Sequence, residues 1–198
     1  MFRFIETIKL LNGKFSNLPY HQMRLDSTMK SFFPHGTIAD LGILLSQYQT
    51  PTEGLFKCRI VYDDKIRSVD FQPYAIRPIQ SLRIVEADQI RYPFKFENRM
   101  ELTGLYDRRG TCDDVIIVNH KMVTDASYAN LSFKRGNEWF TPDTYLLNGT
   151  MRQKLLVEKK IRSEAISIDD IGKFEKVKLI NSMMGFEGPE IDSSRVVL

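Results

Sequence analysis

Residues 123–133, VTDASYANLSF, read as a strand, a tight bend of small residues and a second strand. Asp125 stands in that bend with Ala126, Ser127 and Ala129 around it. Upstream, DDVIIVNH is an apolar run that turns at His120-Lys121 into MVTDAS. Downstream, NLSFKRGN turns at Gly136-Asn137 into EWFTPD. Short strands joined by two-residue turns make this half of the chain β-rich. Taken alone, Asp125 reads better as a turn residue bonded to its own backbone.

The rest of the chain is mixed. FRFIETIKLLNGKFSNL reads as two strands joined by Asn12-Gly13, and YHQMRLDSTMKSFF as a short amphipathic helix. A second helix is expected over 37–48. GLFKCRIVYDD and IRSVDFQPY form another hairpin near Asp63-Asp64, and SLRIVEAD is a further strand. ENRMELTGLYDRRG is helical in character, and NGTMRQKLLVEKKI opens on Asn-Gly and continues as a helix. SEAISIDDIGKFEKVKLINSM gives a strand, a short helix and a last strand. The expected class is α/β, as an α+β two-domain chain. Residues 1–85 form a small mixed domain and 86–198 a β-rich, barrel-like domain with helices.

The chain has 198 residues, enough for one large or two small domains with a real core. Hydrophobic residues make up 42% and charged residues 27%, which suits a globular protein. No apolar run approaches ~18 residues, so no membrane helix is expected, and the N-terminus lacks a signal-peptide pattern. Two distant cysteines, Cys58 and Cys112, argue against a disulfide framework and for a reducing, cytoplasmic setting. With three scattered histidines they show no metal-ligand spacing, so no metal is expected. A net charge of +3, without a dense Lys/Arg run, points away from nucleic acid and suits an anionic small ligand.

Several motifs recur in a fixed order: ETIKLLNGKFSNLPYHQMRL, KFENRMEL, DDVIIVNHKMVTDASYANLSF, TPDTYLLNGTMRQ and KVKLINSMMG. Together they resemble the class IV (fold type IV) pyridoxal-phosphate enzymes, across nearly the whole chain. That family includes D-amino-acid and branched-chain aminotransferases and 4-amino-4-deoxychorismate lyase. The resemblance implies a D-amino-acid-aminotransferase-like fold, pyridoxal 5'-phosphate as cofactor, and a homodimer with the active site between the domains.

The resemblance also implies roles for residues that, read singly, would be ordinary. Lys95 in K-x-x-N-R-x-E would form the Schiff base; alone it would be a solvated lysine. Asp125 would pair with the protonated ring nitrogen, where relatives carry glutamate. Gly149 and the amides of Thr150 and Met151 would bind the phosphate at a helix start; alone this is a plain helix start after a turn. Ser182 and Met183 match a second phosphate turn, and Arg24 in H-x-x-R-L matches the arginine that clamps the phosphate. Arg99 and Asn130 complete the cofactor set.

Within the family, K-x-x-N-R-x-E resembles the lyase form, and Thr7 in IETIK falls where the lyase has a catalytic threonine. The implied substrate is a small anionic amine, converted to 4-aminobenzoate and pyruvate for folate synthesis. Lys57 and Arg59 share one face of LFKCRIVY and are candidates to bind its carboxylates; a solvated outer face is at least as good a reading of the pair. Tyr62 stands where the lyase often has an arginine. Members usually carry a longer segment before the first strand, which implies a compact variant or altered specificity. A branched-chain or D-amino-acid aminotransferase is the second reading. A non-catalytic binding module is the third; retained Lys95, Asp125 and Arg24 weigh against it.

Overall fold

The computed structural model describes residues 2–198. They form two units. The first is the chain up to Ile76 together with Phe94–Asn98; the second is Arg77–Pro93 with Arg99–Leu198. A single division at 85/86 is therefore replaced by crossings at 76/77, 93/94 and 98/99.

The first unit is built on β1 (Phe4–Leu11), β2 (Lys14–Phe15), β3 (Leu55–Tyr62) and β4 (Ile66–Pro73), in the order β2-β1-β3-β4. All its pairings are antiparallel. Asn12 and Gly13 both take positive φ, 46° and 75°, as the tight β1–β2 turn requires. Side chains alternate along β1, so Phe4, Ile8 and Leu10 are fully buried on one face. They pack with Cys58, Ile60 and Tyr62 against Leu25 and Met29 of α1 (Leu18–Phe32) and Leu41 and Leu45 of α2 (Leu41–Ser46). The helix expected over 37–48 is only the six residues of α2, because the Asp40 side chain caps Ile43 N and starts it there.

The two residues of β2 reach only Leu10 and Leu11, which leaves the start of β1 without a neighbour on that side. The returning segment Phe94–Asn98 takes the place. Lys95 O accepts from Ile5 N at 2.9 Å, Glu97 N donates to Arg3 O at 2.8 Å, and Phe96 bridges Phe4.

The second unit holds two sheets. One is β13-β5-β6-β7, from β5 (Leu82–Glu86), β6 (Asp114–Asn119), β7 (Met122–Val123) and β13 (Val196–Val197). β5 and β6 are parallel, with α3 (Met100–Asp107) in the connection between them. The other is β10-β9-β8-β11-β12, from β8 (Asn130–Arg135), β9 (Glu138–Pro142), β10 (Arg162–Glu164), β11 (Lys176–Ile180) and β12 (Glu190–Asp192). α4 (Thr150–Val157) lies between β9 and β10 in the chain. Leu82, Ile116 and Val118 of the first sheet and Leu131, Phe133 and Leu179 of the second share one core. The turn at His120-Lys121 has φ 47° and 64°, so two non-glycine residues adopt the left-handed pair of the tight hairpin. The sequence reading ends its strands at β11, but β12 and β13 follow.

Between β11 and β12 the chain lies directly on the β11 backbone. A Cβ at Gly188 would stand 2.0 Å from Leu179 O, and neither atom can swing aside. Gly188→Ala is expected to cost about 2 kcal/mol or more, read as a lowered denaturant midpoint. A midpoint equal to that of the parent protein would contradict the close approach.

Candidate functional site

In the first unit, β1 carries one charged side chain on its buried face. Glu6 is 0% exposed between Phe4 and Ile8. Its carboxylate accepts from Arg24 Nε at 2.8 Å and Nη2 at 2.6 Å, a two-pronged pair, and from His21 Nδ1. Burial pushes Glu6 up, but the Arg24 charge, its hydrogen bonds and that of His21 outweigh it and hold the carboxyl at about 2. Burial pushes His21 down, against the pull of Glu6, so the imidazole is neutral and its proton sits on Nδ1. Arg24 is thus aimed from α1 by an ionised, fully buried partner. Sequence reading singled out Arg24 but not Glu6 or His21. The signal was present: an acid at an inward position of an alternating strand.

Thr7 is on the opposite face of β1, paired across to Arg59. Arg59 donates to Glu97 at 2.9 Å, so the expected substrate cation already has an acid partner. Lys57 shares this face, and Lys95 is half-buried in the segment that extends β1. Tyr62 is not with them. It pairs with Phe4 on the helix-covered face and is 1% exposed, so it lines the core rather than the Lys57–Arg59 face.

In the second unit, Asp125 is 6% exposed. Its main chain continues the pairing with β6 through Ile117 N, and its bend closes with Ala126 N donating to Ala129 O. Asp125 Oδ2 accepts from Leu147 N at 2.9 Å and Leu146 N at 3.2 Å, and Oδ1 accepts from Asn130 Nδ2 at 2.8 Å. Burial raises the carboxyl; the amides of Leu147, Asn130 and Leu146 and the more distant Arg152 charge lower it, and the balance is about 7. No cation donates a hydrogen bond to Asp125 among the described residues. Arg99 Nη2 donates to Ser127 O at 2.6 Å, tying α3 to the same bend.

Asn130 serves this carboxylate rather than facing outward, since its amide also donates to Leu147 O at 2.9 Å. It explains Gly149 too. A Cβ there would lie 2.0 Å from Asn130 Oδ1. Gly149 precedes Thr150 and Met151, both buried at the start of α4, and no described side chain caps that helix. Its first amides are therefore available to an acceptor. At Ser182 and Met183 the turn is closed differently: Asn181 Oδ1 accepts from both Met183 N and Met184 N at 2.9 Å.

Residues 67–187 match the family described as amino-transferase class IV, well over half of the chain. The chain belongs to the class IV aminotransferase family. A solved structure described as a "putative 4-amino-4-deoxychorismate lyase" from Haemophilus somnus is 35% identical, with a TM-score of 0.89 over 93% of this chain and 98% of that one. A "putative amino-acid aminotransferase" from Mesorhizobium loti shares the fold at 20% identity and TM-score 0.82, each chain covered in full. An aminotransferase from Brucella abortus, solved with its co-factor PLP, shares it at 16% identity and TM-score 0.74, over 98% of this chain and 81% of that one. The mixed α/β architecture expected from the sequence is thus that of the family. No described helix is long and apolar enough to cross a membrane.

Two outcomes test this geometry. Gly149→Ala should cost about 2 kcal/mol by driving the Asn130 amide off its partners, yet little in an Asn130→Ala background; equal costs in both backgrounds would contradict the contact. Glu6→Gln should cost roughly 3 kcal/mol at neutral pH, because it leaves Arg24 without its buried counter-charge. The folded value of about 2 lies below the ordinary 4.5, so the Glu6 contribution is complete above 4.5 and fades as pH falls toward 2. Urea denaturation of both proteins should converge across that window; a constant difference would contradict it.

Proposed function

We propose that this chain is a pyridoxal 5'-phosphate enzyme that works as a 4-amino-4-deoxychorismate lyase. The observation that carries the cofactor half is the Asp125 cradle. A carboxyl 6% exposed, held by three N–H groups and raised to about 7, is complemented by a cationic N–H. A protonated pyridine ring nitrogen is such a group, and Asp125 would hold its proton in place. The start of α4, with buried Thr150 and Met151, suits a phosphate. Arg24, the phosphate-clamping arginine by family resemblance, is charged and held in one orientation by Glu6. The donor set therefore fits the cofactor.

When bound, the cofactor supplies an electron sink for the charge that develops on the substrate carbon bearing the amine. Lys95 Nζ would anchor the cofactor and, once displaced by the substrate amine, take the proton from that carbon. Thr7 Oγ1 would deliver a proton to the departing enolpyruvyl group, which leaves as pyruvate. Aromatisation of the ring then makes the step irreversible. The lyase assignment rests on Thr7, on K-x-x-N-R-x-E around Lys95, and on the 35% identity to the Haemophilus somnus protein. A class IV aminotransferase is the second reading, favoured by one observation: Arg59 is already paired with Glu97, which leaves less free positive charge for a dicarboxylate. In either case we take the working form to be a homodimer.

The test has two steps. Protein incubated with pyridoxal phosphate, treated with borohydride and digested should carry the pyridoxyl mass on the Lys95 peptide, and Lys95→Ala should carry none. Label elsewhere, or equal label in both, would overturn the cofactor assignment. Aminodeoxychorismate should then yield fluorescent 4-aminobenzoate. No product, with amino-group exchange between an amino acid and a keto acid, would replace the lyase with the aminotransferase.

A further inference from the structure

Arg152 is 5% exposed, yet no carboxylate accepts a hydrogen bond from it among the described residues. Its partners are neutral. Nη2 donates to Pro142 O at 2.8 Å and Nη1 to Asn148 Oδ1 at 3.3 Å. The Tyr145 ring covers the guanidinium, 4.6 Å from its centroid to the central carbon. An interior cation with only neutral acceptors is costly, and an apolar side chain would fill the same volume at less cost. Its position shows what the arginine does that an apolar residue would not.

The loop 143–149 leaves β9 after Pro142 and enters α4 at Thr150. Arg152 sits on α4 and reaches back over that loop, touching its start at Pro142, its middle at Tyr145 and its end at Asn148. Between the clamped points lie Leu146 and Leu147, whose two amides hold Asp125 Oδ2. Other bonds hold parts of the same loop. Asp143 N donates to Glu164 O at 2.9 Å, Thr144 Oγ1 to Val123 O at 2.7 Å, Asn130 Nδ2 to Leu147 O at 2.9 Å and Gln153 Nε2 to Asn148 O at 3.0 Å. Arg152 adds a side chain that ties the strand end at Pro142 to Tyr145 and Asn148 on either side of the two amides. A forked, planar donor is suited to span two separated acceptors, which a lysine would not do. Its positive charge also lies on the side of the buried Asp125 carboxylate and favours the ionised form.

We infer that Arg152 is a positioning residue that closes the loop 143–149 into the cradle of Asp125, and so sets the carboxylate for a cationic ring N–H. The second half rests on the reading of Asp125 given under the proposed function; the first half does not.

The experiment compares wild type, Arg152→Met and Arg152→Lys by amide hydrogen exchange without added cofactor, then by pyridoxal phosphate titration. In Arg152→Met the amides of Leu146 and Leu147 should exchange about tenfold faster, the effect of losing one net hydrogen bond. The amides of β8 and β11 should be unchanged, which a general loss of stability would not give. Pyridoxal phosphate should bind about tenfold more weakly, and Arg152→Lys should fall between. Wild-type exchange at Leu146 and Leu147 in a folded variant would overturn the clamp. If Arg152→Met does not fold, Arg152→Lys decides by the same two amides. Faster amides with unaltered cofactor affinity would overturn the positioning role. If wild type binds no pyridoxal phosphate, the reading of Asp125 falls, and the amide exchange still decides the clamp.

Discussion

A carboxylate kept almost out of water must be held by something, and the second unit is arranged around holding Asp125. Two amides of the loop 143–149 and the Asn130 side chain meet its oxygens. Asn130 in turn excludes any side chain at Gly149, at the entrance to α4. Arg99 ties α3 to the same bend, and Arg152 closes the loop. Three N–H groups are not enough to offset burial, so the carboxyl stays near 7. Ionising it costs stability as pH rises from 3.8 toward 7, and a bound cation would reverse that cost.

The first unit solves the opposite problem. There the buried acid, Glu6, has its cation in place as Arg24, and His21 takes the remaining acceptor position as a neutral donor. The pair is satisfied within the chain and holds the guanidinium in one orientation. Thr7 and Arg59 occupy the other face of the same strands, where Arg59 donates to Glu97 of the returning segment. The sheet thus carries the buried Glu6–Arg24 pair on its helix-covered side and Thr7 and Arg59 on the other.

Much of this was legible in the sequence, and the failures have physical causes. Asn12-Gly13 and the alternation of LFKCRIVY specify the first sheet, because turn chemistry and period 2 are local properties. Asp125 stood out because small residues surround it in a bend. Its partners did not, since Leu146 and Leu147 contribute only backbone amides and no side-chain signature marks them. Arg152 looks like any helix arginine until Pro142 and Asn148 are brought beneath it. β12 and β13 have three and two residues, too short for any period, and are strands only because β11 and β5 offer edges. The return of Phe94–Asn98 to the first sheet is likewise a tertiary choice, set by how short β2 is.

The central proposal is that the buried Asp125 carboxyl pairs with a cationic ring nitrogen, and its own titration tests that most directly. Protein labelled at the aspartate carboxyl carbons, with Asp125→Asn to assign the signal, can be followed by NMR across pH with and without pyridoxal phosphate. The account predicts a midpoint near 7 in the free protein, and a carboxylate that stays ionised well below that pH once the cofactor is bound. An ordinary carboxylate midpoint in the free protein, or a midpoint near 7 that saturating cofactor leaves unmoved, would contradict it.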